Sequence, residues 1–265
     1  MSPVPTTLRT ALAIAMTALV ACSSTGDGDG KTYVLVHGAW MGAAGWDPVA
    51  AQLRDEGASV IIPELPAHGA DPAGPADATL AAYLDRVAGA IAQAERPVIL
   101  VGHSMAGIVI SASAERDPAG IAALVYVAAY VPTSGQSLFD LAMSDGDSEI
   151  GANLVDHQDG TLGIRPDAFA ELFCADCGPE GKAVLAASYR DEPVAPLVTP
   201  IMLTEGAFGT LPRSYLATTR DRVVSPDLQS RMTAATPMDR EVTLDTSHVP
   251  MLAAPGAVAD ALLAE

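Results

Sequence analysis

Residues 101–107 read Val101-Gly102-His103-Ser104-Met105-Ala106-Gly107, an apolar strand-like run that reaches a serine and continues into the helix-like Ile108-Val109-Ile110. This is close to the G-x-S-x-G pattern, in which a sharp strand-to-helix turn holds a serine exposed while small neighbours let two backbones cross. The fifth position is Ala106 rather than glycine, with Gly107 next. A buried serine at a strand end fits the same pattern, so partners must be found before Ser104 carries chemistry. A serine hydroxyl is a weak nucleophile at neutral pH and needs a base within hydrogen-bond reach and an acid to orient that base. The histidines that compete to be the base are His37, His68, His103, His157 and His248. His103 neighbours the serine on the turn, so its side chain should point away. His37 and His68 sit in loops after strand-like runs, and His157 lies in a long irregular region. His248 follows the last strand-like run, in Asp245-Thr246-Ser247-His248-Val249-Pro250, and Asp221 ends the one before it. The chain order is then Ser104, Asp221, His248. Asp245 is the rival acid, but it precedes the base by only three residues on the same strand end. A developing oxyanion needs two preorganised backbone N–H donors. Met105, next to the serine, supplies one. Ala39 is the expected other, in His37-Gly38-Ala39-Trp40-Met41-Gly42, where Gly38 lets the backbone turn closely; an ordinary glycine turn is the alternative.

Positioning these groups requires strands that end together. Six β-rich runs recur, at Thr32–His37, Ser59–Pro63, Pro97–Gly102, Ala122–Ala128, Ser214–Thr218 and Glu241–Leu244, most of them continuously apolar. Such runs suit a parallel sheet buried on both faces. Helical stretches alternate with them; Thr79 precedes Leu80, Tyr83, Leu84, Val87 and Ile91, an apolar stripe behind a cap residue. Strand and helix in alternation predict a doubly wound α/β domain. Residues 133–205 break the rhythm and contain helical pieces near Asp167–Phe173 and Pro179–Ser188, so they read as an inserted cap.

His37-Gly38-Ala39-Trp40 with Trp46, Leu65-Pro66-Ala67-His68-Gly69, Gly102-His103-Ser104, Val127-Ala128-Ala129-Tyr130-Val131-Pro132, Thr219-x-Asp221 and Ser247-His248-x-x-Met251-Leu252 together give the chain a family likeness. It resembles the α/β-hydrolase family of plant methylesterases such as the methyl salicylate esterases, plant hydroxynitrile lyases and related bacterial esterases, over about residues 32–265. The resemblance implies an α/β-hydrolase fold with a mostly parallel six-stranded sheet flanked by helices, a helical cap after the fourth strand, and Ser104, Asp221 and His248 as a triad. The lyases of this family carry a threonine after the first-loop histidine and a lysine after the catalytic histidine. Gly38 and Val249 stand there instead, so the chain resembles the esterase branch. The activity implied is hydrolysis of small or medium apolar carboxylic esters by a serine esterase without a cofactor. Gly38, Trp40, Phe139 and Val249 are the expected substrate contacts. A lyase-like or other cofactor-free reaction on the same triad, and a non-catalytic binding lipoprotein, stay as alternatives; cyanide release from mandelonitrile would separate the first from ester cleavage.

The chain has 265 residues, 49% of them apolar and 17% charged, which suits one domain of about 250 residues and excludes disorder or a minimal disulfide scaffold. With 14 Lys+Arg against 32 Asp+Glu the net charge is −18. Nucleic acid is therefore excluded as a partner, because phosphate binding needs basic patches. Cys22, Cys174 and Cys177 lack the four-ligand spacing of a structural zinc site. Cys174 and Cys177 are either a disulfide or separate thiols. Leu138, Phe139, Leu141, Met143, Phe169, Leu172 and Phe173 are either the cap's own core or the lining of an acyl pocket. Asp145, Asp147, Glu149 and Asp156 lack calcium-loop spacing and read as a solvated face, so no metal is expected.

Arg9 is the only cation among residues 1–10, and a largely apolar run follows from Ala11 to Ala21, too short to span a bilayer. That is the layout of a signal peptide over residues 1–21. Leu19-Val20-Ala21-Cys22 resembles a bacterial lipobox, which implies cleavage before Cys22 and a lipid on its thiol; an ordinary signal peptide that contains a cysteine is the alternative. Residues 22–31 are rich in Gly, Ser and Asp and read as a flexible tether to a domain over 32–265. The expected location is the outer face of a membrane, through a lipid anchor at Cys22, or else a secreted or periplasmic soluble form.

Overall fold

The computed structural model describes residues 1–3 and 30–265. Residues 4–29, which hold most of the expected signal peptide and tether and the candidate lipidation site Cys22, lie outside the described residues.

The chain alternates strand and helix through its first half: β1 (Thr32–Val36), α1 (Asp47–Asp55), β2 (Ser59–Ile61), α2 (Leu80–Gln93), β3 (Val98–His103), α3 (Ala106–Arg116) and β4 (Ile121–Val127). An excursion follows, made of α4 (Leu138–Met143), β5 (Leu154–Asp156), β6 (Thr161–Ile164), α5 (Pro166–Cys174), α6 (Pro179–Ala187), β7 (Glu192–Pro193) and α7 (Val194–Val198). The domain closes with β8 (Arg213–Thr218), α8 (Pro226–Ala235), β9 (Arg240–Leu244), α9 (Pro250–Ala253) and α10 (Pro255–Leu263).

β2-β1-β3-β4-β8-β9 form one sheet, and every neighbouring pair in it is parallel. Every residue of β1 and β3 is buried, as their unbroken apolar runs require in a sheet covered on both faces. From β1 the chain moves outward to the edge strand β2 and then returns past β1 to β3, so the direction of winding reverses between β1 and β3. At such a reversal the loops leaving the two strand ends part and open a crevice. Those loops carry Gly38–Met41 and Ser104.

Helix packing follows the sequence stripes. Thr79 caps α2 by accepting the Ala82 N–H on Oγ1 at 3.1 Å, and the helix buries Leu80, Tyr83, Val87, Ala90 and Ile91. The excursion between β4 and β8 combines helices with a three-stranded antiparallel sheet, β5-β6-β7, lying over the strand ends. Its strands are two to four residues long, too short for an alternating pattern to show in the sequence.

Candidate active site

β3 delivers Ser104 into a left-handed turn, φ 54°, before α3 begins at Ala106. A non-glycine residue there is strained and must be held. Three hydrogen bonds hold it: the Ser104 N–H donates to Val127 O at 3.2 Å, and Ser104 O accepts from the Gly107 N–H at 3.0 Å and the Tyr130 N–H at 3.1 Å. Small residues make the crossing possible. A Cβ on Gly102 would meet Ala106 O at 2.8 Å, and one on Gly107 would strike Tyr130 O. Ala106, fully buried, fits at the position where the pattern has glycine.

The Ser104 hydroxyl donates to His248 Nε2 at 2.9 Å, and His248 Nδ1–H donates to Asp221 Oδ2 at 2.8 Å. The carboxylate only accepts, so the ring hydrogen sits on Nδ1 and the Nε2 lone pair faces the serine. Asp221 also accepts the Val223 and Val224 N–H groups on Oδ1, at 2.8 and 2.9 Å, and the Thr218 hydroxyl on Oδ2 at 2.9 Å. The loops after β8 and β9 are stitched together by Thr219 N–H to Leu244 O and Arg220 N–H to Thr246 O, both 3.0 Å, which brings acid and base side by side. The rival Asp245 points outward, its side chain 82% exposed and paired with Arg220.

His103 does point away from the serine: its Nε2–H donates to the His248 carbonyl at 2.9 Å, fixing the backbone of that loop. Burial and the neighbouring His248 hold its pKa well below the usual value, so the ring stays neutral. Gln229 on α8 was not legible in the sequence. Its side chain accepts the Thr218 N–H at 2.9 Å and donates to Val224 O at 2.8 Å, tying together both ends of the segment that presents Asp221.

Ala39 and Met105 face the same cavity as Ser104, and neither N–H donates a hydrogen bond among the described residues. The cavity is about 240 Å³ and mostly apolar, with Trp40 and Tyr130 from the core and Leu138, Phe139, Met143 and Leu162 from the cap on its walls. An apolar cavity of about 150 Å³ accommodates benzene, so there is room for a ring and several further heavy atoms.

Some expectations need correcting. Trp40 and Phe139 line the cavity, whereas Gly38 and Val249 do not: Gly38 packs against His103 and Ser104 Cβ, and Val249 is fully buried with its N–H on Phe173 O at 3.1 Å. Leu141, Phe169, Leu172 and Phe173 are cap core, while Leu138, Phe139 and Met143 reach the cavity. Asp145 is not on a solvated face. It is buried and accepts from the Ser225 N–H at 2.9 Å and hydroxyl at 2.5 Å, anchoring the start of α8; Asp147, Glu149 and Asp156 are exposed. Cys174 and Cys177 form a disulfide at the end of α5. The segment beside it supports the base, since Asp176 accepts the Ser247 N–H at 2.9 Å and the Phe173 ring lies edge-on to His248 at 5.4 Å. His157 sits in the cap beside Asp191, away from the cavity.

Residues 33–261 match the model of the Alpha/beta hydrolase family. Putative methylesterase 11, chloroplastic, of Arabidopsis thaliana is 27% identical over 244 residues, which cover 87% of this chain and 63% of that protein. The chain thus spans less than two thirds of that relative. Esterase PIR7B of Oryza sativa subsp. japonica is 29% identical over 262 residues, covering 88% of this chain and 94% of that protein. Among solved structures, a pyrethroid hydrolase from Sphingobium faniae superposes with a TM-score of 0.80 at 26% identity, over 88% of this chain and 96% of that one.

Proposed function

The chain belongs to the Alpha/beta hydrolase family, and from that premise we propose that it is a serine esterase that cleaves carboxylic esters of small or medium apolar substrates through an acyl-enzyme. The observation that carries this reading is Ser104 Oγ, held at the wall of an apolar cavity 2.9 Å from a histidine that Asp221 orients. His248 takes the hydroxyl proton as Ser104 Oγ attacks the ester carbonyl carbon, and Asp221 stabilises the imidazolium that forms. The Ala39 and Met105 N–H groups bind the oxyanion; one such donor is worth about 10²–10³ in kcat elsewhere. On collapse the C–O bond breaks, and His248 returns the proton to the departing alcohol. Water, deprotonated by His248, then attacks the acyl-enzyme and frees the acid and Ser104. Gly38 and Val249, at the positions where the related lyases carry threonine and lysine, favour hydrolysis over cyanohydrin cleavage.

The test is hydrolysis of a short-chain aryl ester by wild type and Ser104→Ala, with mandelonitrile as a parallel substrate. The reading expects ester turnover that vanishes in the variant while its circular dichroism is unchanged, and no cyanide release. Turnover undiminished in Ser104→Ala contradicts it. Export and a lipid at Cys22 belong to the same proposal. The mass of the N-terminal peptide isolated from membranes checks them, with a lipid-modified Cys22 expected as the first residue.

A further inference from the structure

Glu192 enters the core from the cap. It is fully buried on β7, and its carboxylate collects donors from three core segments: His68 Nε2 at 2.7 Å and the Trp40 N–H at 3.1 Å on Oε2, with the Tyr83 hydroxyl at 3.5 Å from Oε1. The other ring nitrogen of His68, Nδ1, lies 3.0 Å from the Pro66 carbonyl oxygen. Both nitrogens face acceptors, so both carry hydrogens and the ring is an imidazolium paired with a carboxylate. The Trp40 N–H on the same Oε2 favours the charged acceptor over a carboxylic acid. A buried ion pair is a poor source of stability. What it touches is therefore informative.

The Trp40 N–H belongs to the peptide that follows Ala39. The peptide before it is held as well: His37 Nδ1–H donates to Gly38 O at 2.9 Å, while His37 Nε2 accepts the Leu65 N–H at 3.1 Å. In a planar trans peptide C=O and N–H point in opposite directions, so fixing Gly38 O aims the Ala39 N–H. Fixing the Trp40 N–H turns the Ala39 carbonyl away from it. Trp40 itself is left-handed, φ 57°, a conformation that a bulky residue adopts only when held. Its second tie is also to the cap, indole Nε1–H to Leu162 O on β6 at 2.7 Å.

We infer that Glu192, paired with the His68 imidazolium, is a positioning residue that clamps the loop after β1 to the cap so that the Ala39 N–H points at the carbonyl oxygen of the bound ester. This rests on the reading of Ser104 as nucleophile and Ala39 as oxyanion donor. The charged or titratable groups around His68 are Glu192 from β7, Tyr83 from α2, His37 from the end of β1 and Glu64 from the loop after β2. Burial opposes charge on His68, but Glu192 beside it, with Pro66 O and Glu64, holds its pKa above the usual value. Burial holds His37 low and neutral, and Tyr83 high and protonated. His68 is thus the member of the cluster whose pKa is held above its usual value, and the one that gives up a proton as the pH rises. Loss of that proton sets a nitrogen lone pair against the Glu192 carboxylate and loosens the loop.

The experiment measures kcat and KM for a short aryl ester from pH 6 to 10 with the intact protein, Glu192→Gln and Ser104→Ala. Glu192→Gln is expected to lower kcat by about 10–100-fold, somewhat less than loss of a whole oxyanion donor, with KM within about threefold. Its kcat also loses the decline that wild type shows as rising pH deprotonates His68, because a neutral His68 has no proton to release. Unchanged kcat, an equal rise in KM, or a lowered kcat with the wild-type pH profile overturns the inference. Should Glu192→Gln fail to fold, histidine side-chain ¹⁵N shifts of wild type decide: one imidazolium must persist above about pH 6.5, the usual histidine value, and titrate together with the fall in kcat at higher pH, and its absence overturns the inference. Activity in Ser104→Ala would instead overturn the reading of the site. An inactive Ser104→Ala beside an indifferent Glu192→Gln leaves that reading standing and removes only the role of Glu192.

Discussion

The hydrogen-bond chain from Ser104 through His248 to Asp221 is short enough to treat as one unit, 2.9 Å and then 2.8 Å. Its members were legible because each stands just after a β-rich run, and strand ends are where a parallel sheet presents groups to a ligand. The residues that hold them were not. Gln229, Thr218 and His103 act through contacts across 8, 3 and 145 residues, and nothing in their local sequence separates them from ordinary core polar groups. The same holds for Glu192, which meets His68 across 124 residues. Asp221→Asn tests the orienting role: an amide nitrogen facing Nδ1 turns the ring hydrogen to Nε2, towards the serine. Ester turnover at pH 7–8 should fall about 10³–10⁴-fold, with unchanged circular dichroism. A loss below about tenfold in steady-state assays would assign the carboxylate elsewhere.

Strands and helices meet most closely where β3 turns into α3. Gly107 has Tyr130 O against the place a Cβ would occupy, and Tyr130, whose N–H is bonded to Ser104 O, cannot retreat. Gly107→Ala should therefore cost about 1–3 kcal/mol from overpacking, which lowers Tm by about 2–4 °C per kcal/mol for a domain of this size. It should also lower turnover, since Tyr130 N–H helps hold the turn. Thermal melts and ester assays on the same preparation check both, and an unchanged Tm would contradict the close crossing. At this scale the β-rich runs announced all six strands of the main sheet, within about two residues at each end. The cap sheet was missed because its pairing joins Thr161–Leu162 to Glu192–Pro193, a long-range contact between segments too short to pattern. Yet β6 and β7 supply Leu162 O and Glu192, which hold Trp40.

Taken whole, the molecule is acidic, with net charge −18, and lowering the pH relieves repulsion as carboxylates protonate. Buried histidines act in the opposite sense and earlier. His37 and His103 have folded pKa values held down by burial, so below about pH 6.5 the unfolded chain binds protons that the fold refuses, and stability falls. His68, held high, contributes stability that is fully present below about pH 6.5 and lost as pH rises through its folded pKa. Few carboxylates titrate between pH 6.5 and 5, so the histidines win there. Tm should drop as pH falls across that window and also as pH rises through the folded pKa of His68, as scanning fluorimetry from pH 5 to 9 would show; a Tm that rises from pH 6.5 to 5 would contradict the neutral burial of His37 and His103. Length and apolar content lead to the expectation of a single domain, whereas the −18 charge argues only against a nucleic-acid partner and points to no substrate. In the proposed function one serine, Ser104, does the chemistry. Labelling the intact protein with a fluorophosphonate, followed by peptide mapping, tests it most directly. One modified peptide containing Ser104, absent from Ser104→Ala, is the predicted result. Label on another residue, or labelling that persists in Ser104→Ala, would contradict it.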